Sequence, residues 1–356
     1  MRKLLVLIVG VGLVAGACAS NGSTAGTKPS PSSTAPAADA TTVAAAPSAG
    51  CSGQQEQAVA AGETKQTLTL GGDERWWFRQ VPPGGASSTP VPMVMDLHGY
   101  SEGAQIHKGT SGMAPFGDAH GFVTVTPQGQ GPVARWDTTL GSRDLAFLGK
   151  VLDTTEQQLC IDTNRVFVTG LSNGAFMTSA MACQYSTRIA AVAPVAGVRN
   201  IKGCAPKRAV PIVAFHGTAD GYVDYDGGLG QKALDLPAPD GSGKTLRDTI
   251  TPDELKTPTD SKSSIPNIMT AWAKRNGCGS KDTETKVAAD VTKLTWDCAP
   301  ADATILYRVT GGGHAWPGSP GSAALAGIVG PTTMSIVAND IMWKFFVAHP
   351  LTHSGS

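Results

Sequence analysis

From residue 66 onward, short apolar runs alternate with stretches whose apolar residues recur every three or four positions. Candidate strands fall at 67–70, 76–81, 93–97, 122–126, 166–169, 190–194, 212–215 and 304–309. Several of these runs are continuously apolar, the pattern of parallel strands buried on both faces. Between them, Leu145, Leu148, Leu152, Thr155 and Leu159 line one face of a helix. A second helix runs through 176–181, and a C-terminal one spans 334–346 with Val337 and Ile341 inward. A chain that repeats strand and helix in this way is confined to an α/β architecture, here one domain over 51–350 with a mainly parallel central sheet. Residues 226–265 are rich in Gly, Pro, Asp, Lys and Thr and read as an inserted loop.

Charge removes one class of function. Lys+Arg 28 balances Asp+Glu 28, so the basic excess that a nucleic-acid binder carries is missing. The N-terminus argues for export. Arg2 and Lys3 precede an apolar run from Leu4 to Ala17, which suits a secretory signal over 1–17 and is shorter than the roughly 20 residues of a membrane span. The sequence Ala15-Gly16-Ala17-Cys18 resembles a bacterial lipobox, with Ala15 where a larger aliphatic residue is usual. Cys18 is then the lipid attachment site and the expected link to a membrane. Residues 18–50, dominated by Ala, Ser, Thr, Pro and Gly, read as a disordered tether, because they cannot bury enough apolar surface to offset chain entropy.

Setting Cys18 aside leaves six of the 7 cysteines, an even number suited to an oxidising compartment. Cys278 with Cys298 would bridge a hairpin-like segment, and Cys183 with Cys204 would tie a helix to the loop after it. Cys51 and Cys160 then remain as the third pair. No metal site is expected, since neither C-x-x-C nor H-E-x-x-H spacing occurs. A loosened Walker A match at 238–245 lacks the strand before it and the helix after it that phosphate binding requires.

Two G-x-S-x-G matches occur, around Ser172 and Ser101. Ser172 follows the strand pattern of 165–169 and precedes a helical stretch, the strand–turn–helix context that lifts a hydroxyl above a sheet. No helical period follows Ser101, so Ser172 is the expected nucleophile. A serine hydroxyl attacks only if a base takes its proton. His314, in the glycine-rich stretch 311–318 after the last strand, is the candidate base. Asp220, at the end of the turn after strand 212–215, is the candidate acid that orients it, with Asp224 and Asp226 as rivals. His98 and His216 stand at strand ends, where packing or hydrogen bonding is the expected role. The N–H of Asn173 and that of Tyr100 are the expected donors to a developing oxyanion.

Taken together, LHGYSEGA (97–104), RVFVTGLSNGAFM (165–177), PVAG (194–197), AFHGTADGYVDYDGG (214–228) and GGGHAWPG (311–318) resemble the poly(3-hydroxybutyrate) depolymerase/feruloyl esterase family of carbohydrate-esterase type, over about residues 65–348. The resemblance implies an α/β-hydrolase fold, a Ser172–Asp220–His314 triad and no cofactor. It also implies that Trp136 and Trp316 line the acyl pocket, core packing being the alternative for each. The expected protein is an exported, monomeric serine esterase acting on feruloyl or acetyl esters or on hydroxyalkanoate oligomers. Its rivals are a polyester depolymerase proper and a non-catalytic substrate-binding lipoprotein.

Overall fold

The structure, a computed structural model, describes residues 43–52, 59–86, 88–250 and 263–352. The expected signal segment, Cys18 and the tether as far as residue 42 lie outside the described residues. The tether ends sooner than composition suggests, because 43–50 belong to the folded domain. The Ser48 hydroxyl donates to the Leu159 carbonyl at 2.7 Å, and Arg165 reaches the Val43 carbonyl at 2.9 Å. A side chain at Gly50 would stand 2.2 Å from the Leu159 carbonyl oxygen. Small residues here permit close docking against a strand, which composition alone reads as disorder.

A ten-stranded sheet organises the domain. Its strands are β1 (Gly62–Leu70), β2 (Asp73–Val81), β3 (Val91–Leu97), β4 (Val123–Pro127), β5 (Ile161–Leu171), β6 (Ala191–Val195), β7 (Ile212–Gly217), β8 (Asp282–Ala288), β9 (Val291–Trp296) and β10 (Thr304–Val309). They lie in the order β1-β2-β4-β3-β5-β6-β7-β10-β9-β8. Neighbours from β4 to β10 pair parallel, and both edges are antiparallel. All eight expected strands are present. The β8–β9 hairpin adds two more, and β8 is exposed along almost its whole length. An outermost strand facing water has no apolar run to announce it.

Helices cover both faces: α1 (Gly103–Ser111), α2 (Met113–His120), α3 (Arg143–Gln158), α4 (Asn173–Gln184), α5 (Leu246–Thr249), α6 (Ile265–Arg275), α7 (Pro320–Ala324), α8 (Ala326–Val329) and α9 (Ala338–Ala348). The apolar face expected in α3 is fully buried, and the Ser142 hydroxyl caps its first turn by accepting from Leu145 N–H. The C-terminal helix starts later than expected. Val337 is 42% exposed, while Ala338, Met342, Phe345 and Phe346 turn inward. Phe346 stacks on Phe167 of β5 at 4.5 Å, and that contact sets the helix rotation. Three disulfides join Cys51 to Cys160, Cys183 to Cys204 and Cys278 to Cys298; the sequence leaves this connectivity open, and the first pair follows from it only by elimination. Residues 226–250 of the expected insertion contain a 3-10 turn at Gln231–Asp235, a Pro237–Thr245 bridge and α5.

Candidate active site

Ser172 follows β5, Asp220 follows β7 and His314 follows β10, so all three leave the same end of the parallel sheet. Ser172 has φ 58° and ψ −119°, a conformation that L residues rarely adopt and that persists only where the surroundings enforce it. The enforcement is visible. A Cβ at Gly170 would lie 2.7 Å, and one at Gly174 2.1 Å, from the Leu97 carbonyl oxygen. Only glycine fits on either side of the serine. The Ser172 N–H is held by the Val195 carbonyl at 2.9 Å, and its own carbonyl accepts from Phe176.

Ser101 corrects part of the sequence argument. It too has a positive φ, 59°, and it too precedes a helix, α1. The inward face of α1 is Ala104, His107, Thr110 and Ser111, so hydrophobic periodicity could not reveal it. What separates the two serines is tightness. The nearest atom to an added Cβ is 3.2 Å away at Gly99 and 3.4 Å away at Gly103, both side-chain atoms rather than backbone.

His314 Nδ1 lies 2.8 and 3.0 Å from the two Asp220 carboxylate oxygens. The Tyr222 and Val223 N–H groups also donate to Asp220 Oδ1, at 2.8 and 3.0 Å. Burial would raise the Asp220 carboxyl, but the charge and hydrogen bond of His314, with smaller help from His216 and Val223 N–H, hold it below its ordinary value. An ionised Asp220 accepts a hydrogen bond from Nδ1–H, which leaves Nε2 as the basic nitrogen; among the described residues Nε2 has no hydrogen-bond partner. No hydrogen bond joins His314 to Ser172 among the described residues. The glycine run delivers the imidazole because a Cβ at Gly313 would stand 2.3 Å from the Val329 carbonyl, which also receives the His314 N–H. Asp224 and Asp226 instead form a local turn, Asp224 Oδ1 accepting from Asp226 N–H. His216 Nε2 donates to the Val223 carbonyl and lies 3.3 Å from Asp220.

Among the described residues the N–H groups of Tyr100 and Asn173 have no acceptor. The loop carrying Tyr100 is clamped from beneath. His98 Nε2 accepts from Gly129 N–H, so its proton sits on Nδ1 and is donated to the Gly99 carbonyl at 2.7 Å. That carbonyl shares a peptide plane with the Tyr100 N–H, and fixing one fixes the other. Burial lowers His98 to about 4, so the ring stays neutral. Glu102 holds the Gly99 N–H at 2.7 Å.

Behind Glu102 lies a buried charge cluster that sequence reasoning missed. His107 places Nδ1 3.0 Å from Glu102 and Nε2 2.7 Å from Asp96, which also accepts from Ser111. Burial would lower His107, but the charges of Asp96 and then Glu102, with their hydrogen bonds, raise it to about 10. A raised folded value means a contribution to stability that is complete below the unfolded value, about 6.5, and lost as pH rises through the folded one. In urea titrations from pH 7 to 10, the wild type should lose stability by up to about 1.4 kcal/mol per pH unit more than His107→Gln. Equal slopes would sink this assignment of charge.

The structure assigns the two tryptophans to packing. Trp136 is 3% exposed and donates its indole N–H to the His98 carbonyl; Trp316 is 1% exposed and donates to Asn339.

A strained serine between close-packed glycines, with an aspartate–histidine pair at the same sheet end, defines an α/β-hydrolase with a candidate serine-hydrolase site. Comparison with known proteins places the chain more narrowly. No family model matches it. Over 134 residues it is 31% identical to a bifunctional acetylxylan esterase/xylanase of Neocallimastix patriciarum, covering 38% of this chain and 20% of that one. It is 36% identical over 129 residues to poly(3-hydroxyalkanoate) depolymerase C of Paucimonas lemoignei, covering 34% and 30%. With feruloyl esterase D of Neurospora crassa it shares 31% identity over 193 residues, covering 51% and 64%. The match thus spans less than two thirds of each relative's own length. In structure, an acetyl xylan esterase from Aspergillus awamori superposes with a TM-score of 0.51 at 18% identity, covering 80% of this chain and 99% of that one, which establishes the fold. The chain is related by sequence to carboxylic ester hydrolases named for feruloyl, acetylxylan and polyhydroxyalkanoate substrates.

Proposed function

We propose that the chain is an exported serine esterase that hydrolyses carboxylic esters through an acyl-enzyme on Ser172. His314 Nε2 takes the Ser172 proton as the oxygen attacks the ester carbonyl, then returns it to the leaving alcohol. The N–H groups of Asn173 and Tyr100 receive the oxyanion, and Asp220 stabilises the imidazolium. Water, deprotonated by the same imidazole, then releases the acid. One observation carries this reading: the Asp220–His314 pair has its basic nitrogen open, at the sheet end where the strained Ser172 stands. The relatives' names support feruloyl, acetyl and hydroxyalkanoate esters as substrates. Treating the protein with a fluorophosphonate and mapping the adduct should label Ser172. Methyl ferulate, acetylated xylan and hydroxybutyrate oligomers should then rank the substrates. A folded protein that takes no label and cleaves none of them is a binder instead.

The three disulfides fit an oxidising compartment. We further propose acylation of Cys18 as the membrane link. Cys18→Ser is expected to release the protein from membranes; unchanged membrane association would refute the anchor.

A further inference from the structure

Residues 134–136 form a strap between the two expected oxyanion donors. The Ala134 carbonyl accepts from Ser101 N–H at 2.8 Å, on the Tyr100 side. Trp136 N–H donates to the Asn173 side chain at 2.7 Å, and Asn173 Nδ2 returns a bond to the Trp136 carbonyl. Between these anchors a turn ends at Ala134, and Arg135 is bridged to Gln130. Trp136 turns inward to His98, and Arg135, its neighbour in the strap, is only partly buried.

Arg135 is also unlike the other described arginines. Each of those holds a carboxylate, an amide or carbonyl oxygen, or an aromatic ring: Arg75 has Asp144, Arg188 has Asp153 and Glu156, and Arg199 lies over Phe176. Among the described residues the Arg135 side chain has no hydrogen-bond, ion-pair or ring partner, and its Nε is buried and unsatisfied. The Nε atoms of Arg79 and Arg208 are likewise buried without a partner, but their terminal nitrogens hold Gln158 and the Ile189 carbonyl, whereas those of Arg135 hold nothing among the described residues. Its charge acts on the Tyr100 hydroxyl: burial raises that group, and Arg135 opposes the rise. The guanidinium therefore stands on the Tyr100 side of the site, with its donors uncommitted. A planar fork of this kind matches a carboxylate.

We propose that Arg135 binds a carboxylate carried by the ester substrate, so that anionic esters are preferred over neutral ones. This rests on the serine-esterase reading above. The shared chemistry is a carboxylate, on either the acyl or the alcohol portion, and two substrate pairs separate those sources. The acyl pair is the 4-nitrophenyl monoester of adipate against 4-nitrophenyl hexanoate. The alcohol pair is 3-acetoxybenzoate against phenyl acetate. In one pair the wild type should favour the anionic member by about tenfold or more in kcat/KM, mostly through KM, and added salt should shrink the preference. Arg135→Gln should erase the preference while leaving the neutral ester within about twofold, and Arg135→Lys should restore part of it. Equal rates within both wild-type pairs overturn the inference with no variant needed, as does an Arg135→Gln protein that keeps the preference or slows both members alike. Hydrolysis of none of the four esters would overturn the esterase reading itself, and this inference with it.

Discussion

Ser172→Ala is expected to lower kcat for ester hydrolysis by roughly 10⁶-fold, the scale seen when a serine hydrolase loses its nucleophile. The change removes one oxygen and nothing else that the fold uses. The Ser172 N–H still reaches the Val195 carbonyl, and its carbonyl still receives Phe176 N–H. The cost of the positive φ is met by the packing of Gly170 and Gly174 against Leu97, which alanine leaves intact. Substrate binding should therefore persist, with residual catalysis from the oxyanion donors of roughly 10³–10⁴ over water. Ser101→Ala is the matched control, because that serine shares the motif, the positive φ and the following helix. It should leave kcat within a few fold. A Ser172→Ala protein with kcat within tenfold of the wild type removes the mechanism.

Asp220→Asn should cost about 10⁴-fold in kcat, as the equivalent change does in serine proteases, with folding unaffected. The hydrogen bonds explain the size. Tyr222 and Val223 N–H groups both point at Oδ1, so the asparagine carbonyl oxygen must take that place. Its NH₂ then faces His314 Nδ1, where Oδ2 stood at 2.8 Å. A donor there forces the proton of the imidazole onto Nε2, and the base that should face Ser172 is lost. Asp224→Asn, in the neighbouring turn, should change little. The check is kcat against pH for both variants. Equal activity of wild type and Asp220→Asn near neutrality would show that this carboxylate does not orient the base.

The buried charges near the oxyanion loop bear on the same chemistry. Two carboxylates, Asp96 and Glu102, share one imidazolium, and Glu102 spends its other contact on the Gly99 backbone. Removing one member of such a buried set exposes the others to uncompensated desolvation, so the cluster stands or falls together. With His98 on the Gly99 carbonyl, the loop is held at both its N–H and its C=O.

The local sequence carried the parallel strands, the elbow at Ser172, and the order of serine, aspartate and histidine along the chain. These are legible because they rest on short-range rules: apolar runs for buried strands, glycines where a Cβ has no room, a carboxylate just beyond a strand. Other features had no such local mark. The first helix after β3 turns a polar face inward, β8 is an exposed edge strand, and residues 43–50 look like linker until they meet β5. The tryptophans at 136 and 316 could line a pocket or fill a core, and only the structure shows that both are almost fully buried. Arg135 looks like any surface arginine until the strap between Tyr100 and Asn173 places it without a partner. The sequence by itself determined which residues are the candidates for chemistry and on which kind of element they stand. The tertiary structure decided which of them meet, which charges are buried and which donors stay unspent, because those depend on neighbours brought together from distant parts of the chain.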